Sequence, residues 1–435
     1  MRDLLLVAFL LIAIYYSFKR PYVGAAAWIW IALMAPAEWA FGFSQSFRLN
    51  LTIVIVSLLA WIINKNKYKY SFSGMQFLVL LFCFWMLIST IFNLRINSEL
   101  AWDKFIEFAK VIALFLFIIM TIRTKKEVDT LIWSIVLAIS AYAAMEGVKF
   151  ILSGGGHRIV GRSGILADRN DLAVAINMCL PLVLYLLGTT KNKNLRLGLI
   201  LIAVLNVVAV MGTYSRGGFI GLSILAIAIW IKSERKVLFL MLALISLPVL
   251  YANAPAEWKE RQSTIETAAT EDGSFIGRIW AWKIATLIAL DNPVTGGGFK
   301  ATTDSLLWRT YAPITPDFGP VYTPPIPDHV RPKAAHNIYF QVLASSGFVG
   351  LIIFLFILAG TYLQSLHCSN AKIRELTWVS ELSRAISLAI IGYGITGLNV
   401  SLAYFELLYA LIAIQIILKS RITSFGKNNV EFKNS

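Results

Sequence analysis

The stretch LRLGLILIAVLNVVAVMGTYSRGGFIGLSILAIAIWIK, residues 195–232, decides the fold class. Two apolar runs, 195–213 and 217–232, meet at a tight connector. Runs of roughly twenty apolar residues are long enough to cross a bilayer as helices. The pattern recurs on both sides, at 3–18, 22–37, 48–64, 75–94, 101–122, 129–151, 171–187, 236–252, 338–364, 380–398 and 402–418. That series predicts an all-α polytopic membrane protein with about 12–13 transmembrane helices.

Composition agrees. The 435-residue chain is 58% hydrophobic and 14% charged, with a mean hydropathy of +0.70, outside the usual range of soluble domains. Its net charge of +15 would point to nucleic acid in a soluble protein. Here the basic residues sit in short connectors beside apolar spans: Lys19-Arg20, Lys65/Lys67/Lys69, Arg123/Lys125/Lys126, Lys191/Lys193/Arg196, Lys232/Arg235/Lys236, Lys372/Arg374 and Lys419/Arg421. Lys and Arg distributed this way mark cytoplasmic loops, so the charge reports topology and no nucleic-acid partner is expected.

The three cysteines, Cys83, Cys179 and Cys368, are scattered and show neither a disulfide framework nor metal-ligand spacing. No cofactor is expected. The first apolar segment lacks a small-residue cleavage site and reads as retained. It is short, and it either leaves the N-terminus outside or crosses incompletely.

One long hydrophilic stretch, residues 253–335, interrupts the apolar series. The chain therefore divides into an N-terminal helix bundle (1–252), a long external loop with short helices (253–335), C-terminal spans (336–418) and a cytoplasmic tail (419–435). Within the loop an amphipathic helix is expected from Phe275 to Leu290, followed by Gly296-Gly297-Gly298. The proline-rich run after it, Pro313 to Pro332, disfavours helix and regular sheet and implies an extended cover. Trp258, Trp280, Trp282, Trp308 and Tyr311 suit a loop lying against the membrane interface.

Four outer-face features could carry chemistry. Arg216, in Gly212-Thr213-Tyr214-Ser215-Arg216-Gly217-Gly218, offers a cation flanked by glycines whose amides are open to an anion. An interfacial arginine on lipid phosphate is an equally weighted reading. Arg278, in Gly277-Arg278-Ile279-Trp280, is expected near the start of the loop helix, where helix end and guanidinium together suit phosphate. Its plain alternative is a surface arginine on an amphipathic helix. His336, where the loop meets the next span, stands at the positive end of a helix that favours neutral imidazole, the form a general base needs. A capping or interfacial histidine is the alternative.

The fourth feature is the glycine-rich basic segment Gly154 to Arg162, followed by Asp168-Arg169-Asn170-Asp171, which could line an entrance for an anionic head group or serve as a connector. His329 and Asp328 lack further residues at ligand spacing, so a metal site is disfavoured. Within the spans, Glu107–Lys110 and Glu146–Lys149 are expected as i,i+3 pairs, and Glu406 is an embedded acid expected to face the bundle interior. No Walker loop, GxSxG elbow or HExxH motif occurs.

The Thr213-Tyr214-Ser215-Arg216-Gly217-Gly218 connector, Gly277-Arg278, Gly296-Gly297-Gly298-Phe299 and His336-Asn337-Ile338-Tyr339-Phe340-Gln341 together resemble the O-antigen ligase superfamily. The opening, Met1 to Leu5 and Lys19-Arg20-Pro21-Tyr22-Val23-Gly24, looks like its exosortase-A-associated O-glycosylation ligase subgroup. The resemblance implies a GT-C-like fold with one long periplasmic loop, in a bacterial inner membrane. It implies metal-independent, inverting transfer of a glycan from undecaprenyl diphosphate to an acceptor hydroxyl, on lipid A core, another lipid, a polymer or a protein. By the same resemblance His336 is the general base and Arg216 and Arg278 bind the diphosphate, with Arg158, Arg162 and Arg169 as further donor contacts. A repeat-unit polymerase would share the motif set. A lipid-linked glycan transporter should show paired halves or broken helices near the midplane, and neither is visible in the sequence.

Overall fold

The computed structural model describes residues 2–39, 42–65, 67–68, 71–95, 98–161, 164–232, 236 and 273–433. Several helices begin where the sequence supplies a cap. Ser73 and Gln76 form a capping box for the helix Gly74–Ile91, and Thr124 and Glu127 do so for Lys125–Leu152. Asp168, Asn192 and Asn337 cap Arg169–Thr189, Lys193–Gly212 and Ile338–Ser369 through their side-chain oxygens. Pro21 opens Pro21–Met34, where its missing N–H costs nothing.

In chain order the helices are α1 (Arg2–Lys19), α2 (Pro21–Met34), α3 (Leu49–Ile63), α4 (Gly74–Ile91), α5 (Ser98–Thr121), α6 (Lys125–Leu152), α7 (Arg169–Thr189), α8 (Lys193–Gly212), α9 (Arg216–Lys232), α10 (Gly273–Asp291), α11 (Ser305–Tyr311), α12 (Ile338–Ser369), α13 (Thr377–Thr396) and α14 (Glu406–Lys433). No strand occurs among the described residues. Each expected span coincides with a helix except 236–252, of which only Lys236 is described. Six helices, α4, α6, α7, α8, α12 and α14 up to Gly426, are long and apolar enough to cross a membrane; α2, α3 and α9 are apolar but shorter. The chain is an all-helical, multi-pass membrane protein.

Helix α13 packs against both α7 and α12, with α9 also laid against α13 and α4 against α12. Every residue from Leu407 to Leu418 of α14 is buried, as expected of a helix apolar on all faces. The α3–α4 and α5–α6 connectors meet the start of α13 and the later part of α14 at one end. There Arg421 Nε donates to the Arg123 carbonyl (2.9 Å), Tyr68 donates to Glu127 (2.6 Å), and Lys125 lies over the Trp378 ring. At the opposite end Asp3 accepts from Ser44 N (3.1 Å) and Oγ (2.6 Å), which ties the start of α1 to the α2–α3 connector. The first helix thus runs antiparallel to α2, with its N-terminus on the side away from the basic connectors.

Helix α12 is broken. Ser346 (φ −141°) and Gly347 (φ +66°) leave the helical region, which frees carbonyls in the preceding turn. The segment 293–298 takes them up: Gly297 N donates to Ala344 O (2.8 Å), Gly298 N to Ser345 O (3.0 Å), and Phe348 N returns a bond to Pro293 O (2.9 Å). Trp85 Nε1 adds donors to Ser346 O (3.1 Å) and Val294 O (3.2 Å). Non-helical backbone within a membrane-spanning segment is stable only when protein satisfies its polar groups, and this splice does so. A β-carbon on Gly347 would stand 2.5 Å from Pro293 O, and one on Gly296 2.5 Å from Gly347 N.

The polar loop has a small core of its own. Trp280, Ile284 and Ile288 of α10 bury against Leu307, Trp308 and Tyr311 of α11, with Phe318, Ile326 and Val330 packed around them. Trp280, Trp308 and Tyr311 therefore pack inside the cover rather than at a membrane interface; Trp258 lies outside the described residues. Lys283 is buried on α10 and donates to Thr315 O (2.6 Å) and Thr323 Oγ1 (3.1 Å), binding both arms of the proline-rich segment. Arg95 fastens the loop to the α4–α5 connector through Phe299 O (2.9 Å), Lys300 O (2.7 Å) and the buried Asp304 carboxylate (3.9 Å).

Two pair expectations resolve differently. Glu146 and Lys149 form the expected pair (2.6 Å), whereas Glu107 pairs with Lys104, one turn before it, rather than with Lys110. Oε2 of Glu406, in the first turn of α14, is buried.

Candidate active site

His336 stands just outside the cap of α12, and each residue after it has a task. Asn337 Oδ1 accepts from Tyr339 N (2.9 Å) and Phe340 N (3.3 Å), which closes the helix end. Ile338 is fully buried. Tyr339 donates its hydroxyl to Gly394 O on α13 (2.9 Å), and Gln341 Oε1 accepts from Ala403 N (3.0 Å). Phe340 stacks on Trp282 of α10 (5.3 Å, 7°), whose Nε1 donates to Ala335 O (2.7 Å). His336 N donates to Ser401 Oγ (3.0 Å). These bonds hold His336 at φ +43°, a left-handed backbone that a side chain resists. Strain of this kind persists only where the surroundings over-determine it.

The imidazole is half-buried, and Arg278, Asp168 and Lys333 act on it. Burial is the largest effect on its pKa and Arg278 the next; both push it below the ordinary imidazole value, Lys333 adds to them and Asp168 opposes. The ring is therefore neutral at neutral pH and able to accept a proton.

Arg278 lies in the second turn of α10, past the amides of the helix start. The expected combination of helix end and guanidinium is thus replaced by the guanidinium alone. Its NH1 donates to Asn399 Oδ1 (2.9 Å). Asn399 also covers Gly217, where a β-carbon would stand 2.6 Å from Asn399 Nδ2. Arg216 begins α9, capped by Ser215, whose Oγ accepts from Gly218 N (3.1 Å). The connector before it carries Tyr214 at φ +54°, held by its hydroxyl on Gly155 O (2.7 Å), and Asn177 Nδ2 on α7 donates to Gly218 O (2.9 Å). The segment Gly397 to Ser401 is the meeting point. Asn399 takes Arg278 and packs on the neighbour of Arg216, and Ser401 holds His336.

Arg169, at the start of α7, donates to Tyr214 O (3.3 Å) and so joins the Arg216 connector. Asp168, beside it, acts on His336. Arg158 is exposed on the α6–α7 connector, next to Ile159, whose N donates to Gly212 O (2.8 Å). Arg162 lies outside the described residues. His157 is engaged by Glu146 (2.7 Å). Among the described residues no group of three or more His, Cys, Asp or Glu side chains is placed to hold a metal ion.

Sequence reasoning did not single out Asn399, Ser401 or Lys333 as site residues. The first two fall in the short link between the last two spans, which alternation of crossings places on the same face as the long loop. Lys333 lies over Gly277, one residue before Arg278.

Two family models match the chain. Residues 201–355 match the family described as O-Antigen ligase, and residues 1–192 match a family of unknown function, DUF5935. None of the curated proteins matches it. The first region spans Arg216, Arg278, the glycine splice and His336.

Proposed function

Since the chain belongs, through residues 201–355, to the O-antigen ligase superfamily, we propose that it is a membrane glycosyltransferase of the ligase type. In this reading it moves a glycan from undecaprenyl diphosphate to an acceptor hydroxyl at the periplasmic face of a bacterial inner membrane. The coarser statement, a multi-pass protein of ligase or polymerase type, follows from the helices and the family match. The convergence of His336, Arg278 and the Arg216 turn on Gly397–Ser401 carries the finer one.

The chemistry follows from the charges. His336 takes the acceptor proton while the hydroxyl oxygen forms its bond to the anomeric carbon. The bond from that carbon to the diphosphate oxygen breaks, and the electron pair leaves with the diphosphate. Arg278 and Arg216 meet the charge that develops there, as fixed cations do most effectively when water is excluded. A single displacement inverts the anomeric carbon. Arg169 sits behind the Arg216 turn and steadies it; Arg158 and Arg162 are secondary candidates for the donor head group.

The test is glycan transfer by purified protein in lipid, with labelled undecaprenyl-diphosphate oligosaccharide and extracted acceptors. A single discrete shift of label, lost on His336→Ala, is expected. A ladder of lengthening lipid-linked products would make the protein a polymerase. Donor left intact by wild type and variant alike, under every acceptor tried, would refute transfer and favour transport.

A further inference from the structure

A groove of about 870 Å³ opens on the proline-rich cover, apart from the His336 site but continuous with it along the chain. Its wall runs through Pro332, next to Lys333, which acts on His336. The volume lies within the range of roughly 300–1,000 Å³ typical of small-molecule sites, room for a few sugar rings rather than one. Five prolines, Pro313, Pro316, Pro325, Pro327 and Pro332, form its frame. Prolines fix their own backbone angles, and buried Lys283 clamps the two arms that carry them, so the groove is preorganised. Their flat apolar faces suit the C–H faces of pyranose rings.

The polar groups in the wall have the complementary chemistry. Arg309 and Arg331 donate in a planar fork, Asp328 accepts, and Ser305 and His329 do either. Trp308 also lines the wall, with most of its ring buried in the core of the cover. Two guanidinium groups against one carboxylate favour an anion, and the fork matches a carboxylate bidentately.

We propose that this groove binds an acidic oligosaccharide, a sugar chain bearing carboxylate or comparable anionic groups. It would hold the glycan beyond the reacting sugar, whether that chain arrives on the donor or on the acceptor. The proposal rests on the transferase reading for its place in the reaction but not for the binding itself.

The test uses the full-length protein in lipid nanodiscs and three calorimetric probes: tetragalacturonate, maltotetraose and hexaglutamate. Tetragalacturonate should bind roughly tenfold or more tightly than either of the others. The double variant Arg309→Ala/Arg331→Ala should weaken it by about tenfold, while Arg374→Ala at the opposite end changes nothing. Failure of tetragalacturonate to bind, equal binding of hexaglutamate, or indifference to the double variant would overturn the proposal.

In the transfer assay, a higher KM for lipid-linked donor alone would place the donor glycan in the groove, and a higher KM for acceptor alone the acceptor glycan. Weakened probe binding with both KM values unchanged would overturn the groove's part in the reaction. If wild type binds tetragalacturonate but transfers nothing, the transferase reading fails and the site stands. If transfer proceeds and the groove variants bind and react as wild type, the groove fails and the transferase reading stands.

Discussion

The splice in α12 and the loop–helix junction both adopt left-handed backbone, and they do so for opposite reasons. At the splice in α12, Gly296 (φ +63°) and Gly347 (φ +66°) use the conformation where two backbones lie too close for any β-carbon, and Gly298 (φ +85°) where Asn93 leaves no room for one. At the loop–helix junction, His336 (φ +43°) adopts it with a full side chain, held by Ser401, Asn337 and Trp282. The splice uses small residues to repair a broken helix. The junction accepts strain to aim one imidazole. A left-handed glycine therefore reports close packing here, and a left-handed histidine reports a side chain that the fold is arranged to present.

That contrast is sharpest under substitution. His336→Asn keeps a residue that tolerates left-handed backbone and keeps the bond to Ser401, but it removes the base. Transfer should fall by about 10²–10⁴-fold with little change in unfolding midpoint. A large loss of stability in this variant would mean that the imidazole serves packing. Gly347→Ala should do the reverse. Left-handed strain and overpacking against Pro293 O together should cost roughly 2–5 kcal/mol, seen as a lower midpoint in mixed-micelle unfolding. The molecules that remain folded should transfer at the wild-type rate. If they fold normally but cannot transfer, the splice belongs to the site and the contrast dissolves.

Asn399→Ala probes the hub between the two regions. It removes a partner of Arg278 without adding volume beside Gly217. A hydrogen bond to a charged group contributes on the order of 1.5–3 kcal/mol, so donor KM should rise by about tenfold or more while the midpoint moves little. An increase in KM for the acceptor alone would place Arg278 on the other substrate.

Much of this was legible in the chain. Hydropathy located the helices because a bilayer leaves a backbone few other ways to satisfy its hydrogen bonds. His336, Arg216 and Arg278 stood out because they fall at span ends away from the basic connectors, where charged and titratable groups are fewer. The break at Ser346-Gly347 was hidden, since an apolar run reads as continuous helix whether or not a distant loop completes its bonds. Asn399 and Ser401 were hidden as well. Their importance comes from neighbours 121 and 65 residues away in sequence, and no local pattern encodes such distances. The loop aromatics misled for a related reason: a tryptophan suited to a membrane interface is equally suited to a small core, and only the partners on α11 decide between them.

The smallest effect is also the most specific to His336. Its pKa is held below the ordinary imidazole value by burial, then by Arg278 and Lys333, against the pull of Asp168. The neutral ring is the active form, so kcat/KM should be level at neutral pH and fall as pH drops through the lowered value. Lys333→Ala removes a cation and should move that acid limb toward higher pH. Asp168→Asn removes an anion and should move it toward lower pH. A packing role for either residue would change the amplitude of the profile and leave its midpoint in place. Opposite displacements from two residues on different elements would show that the group titrating in the profile sits between them, where the structure puts the imidazole.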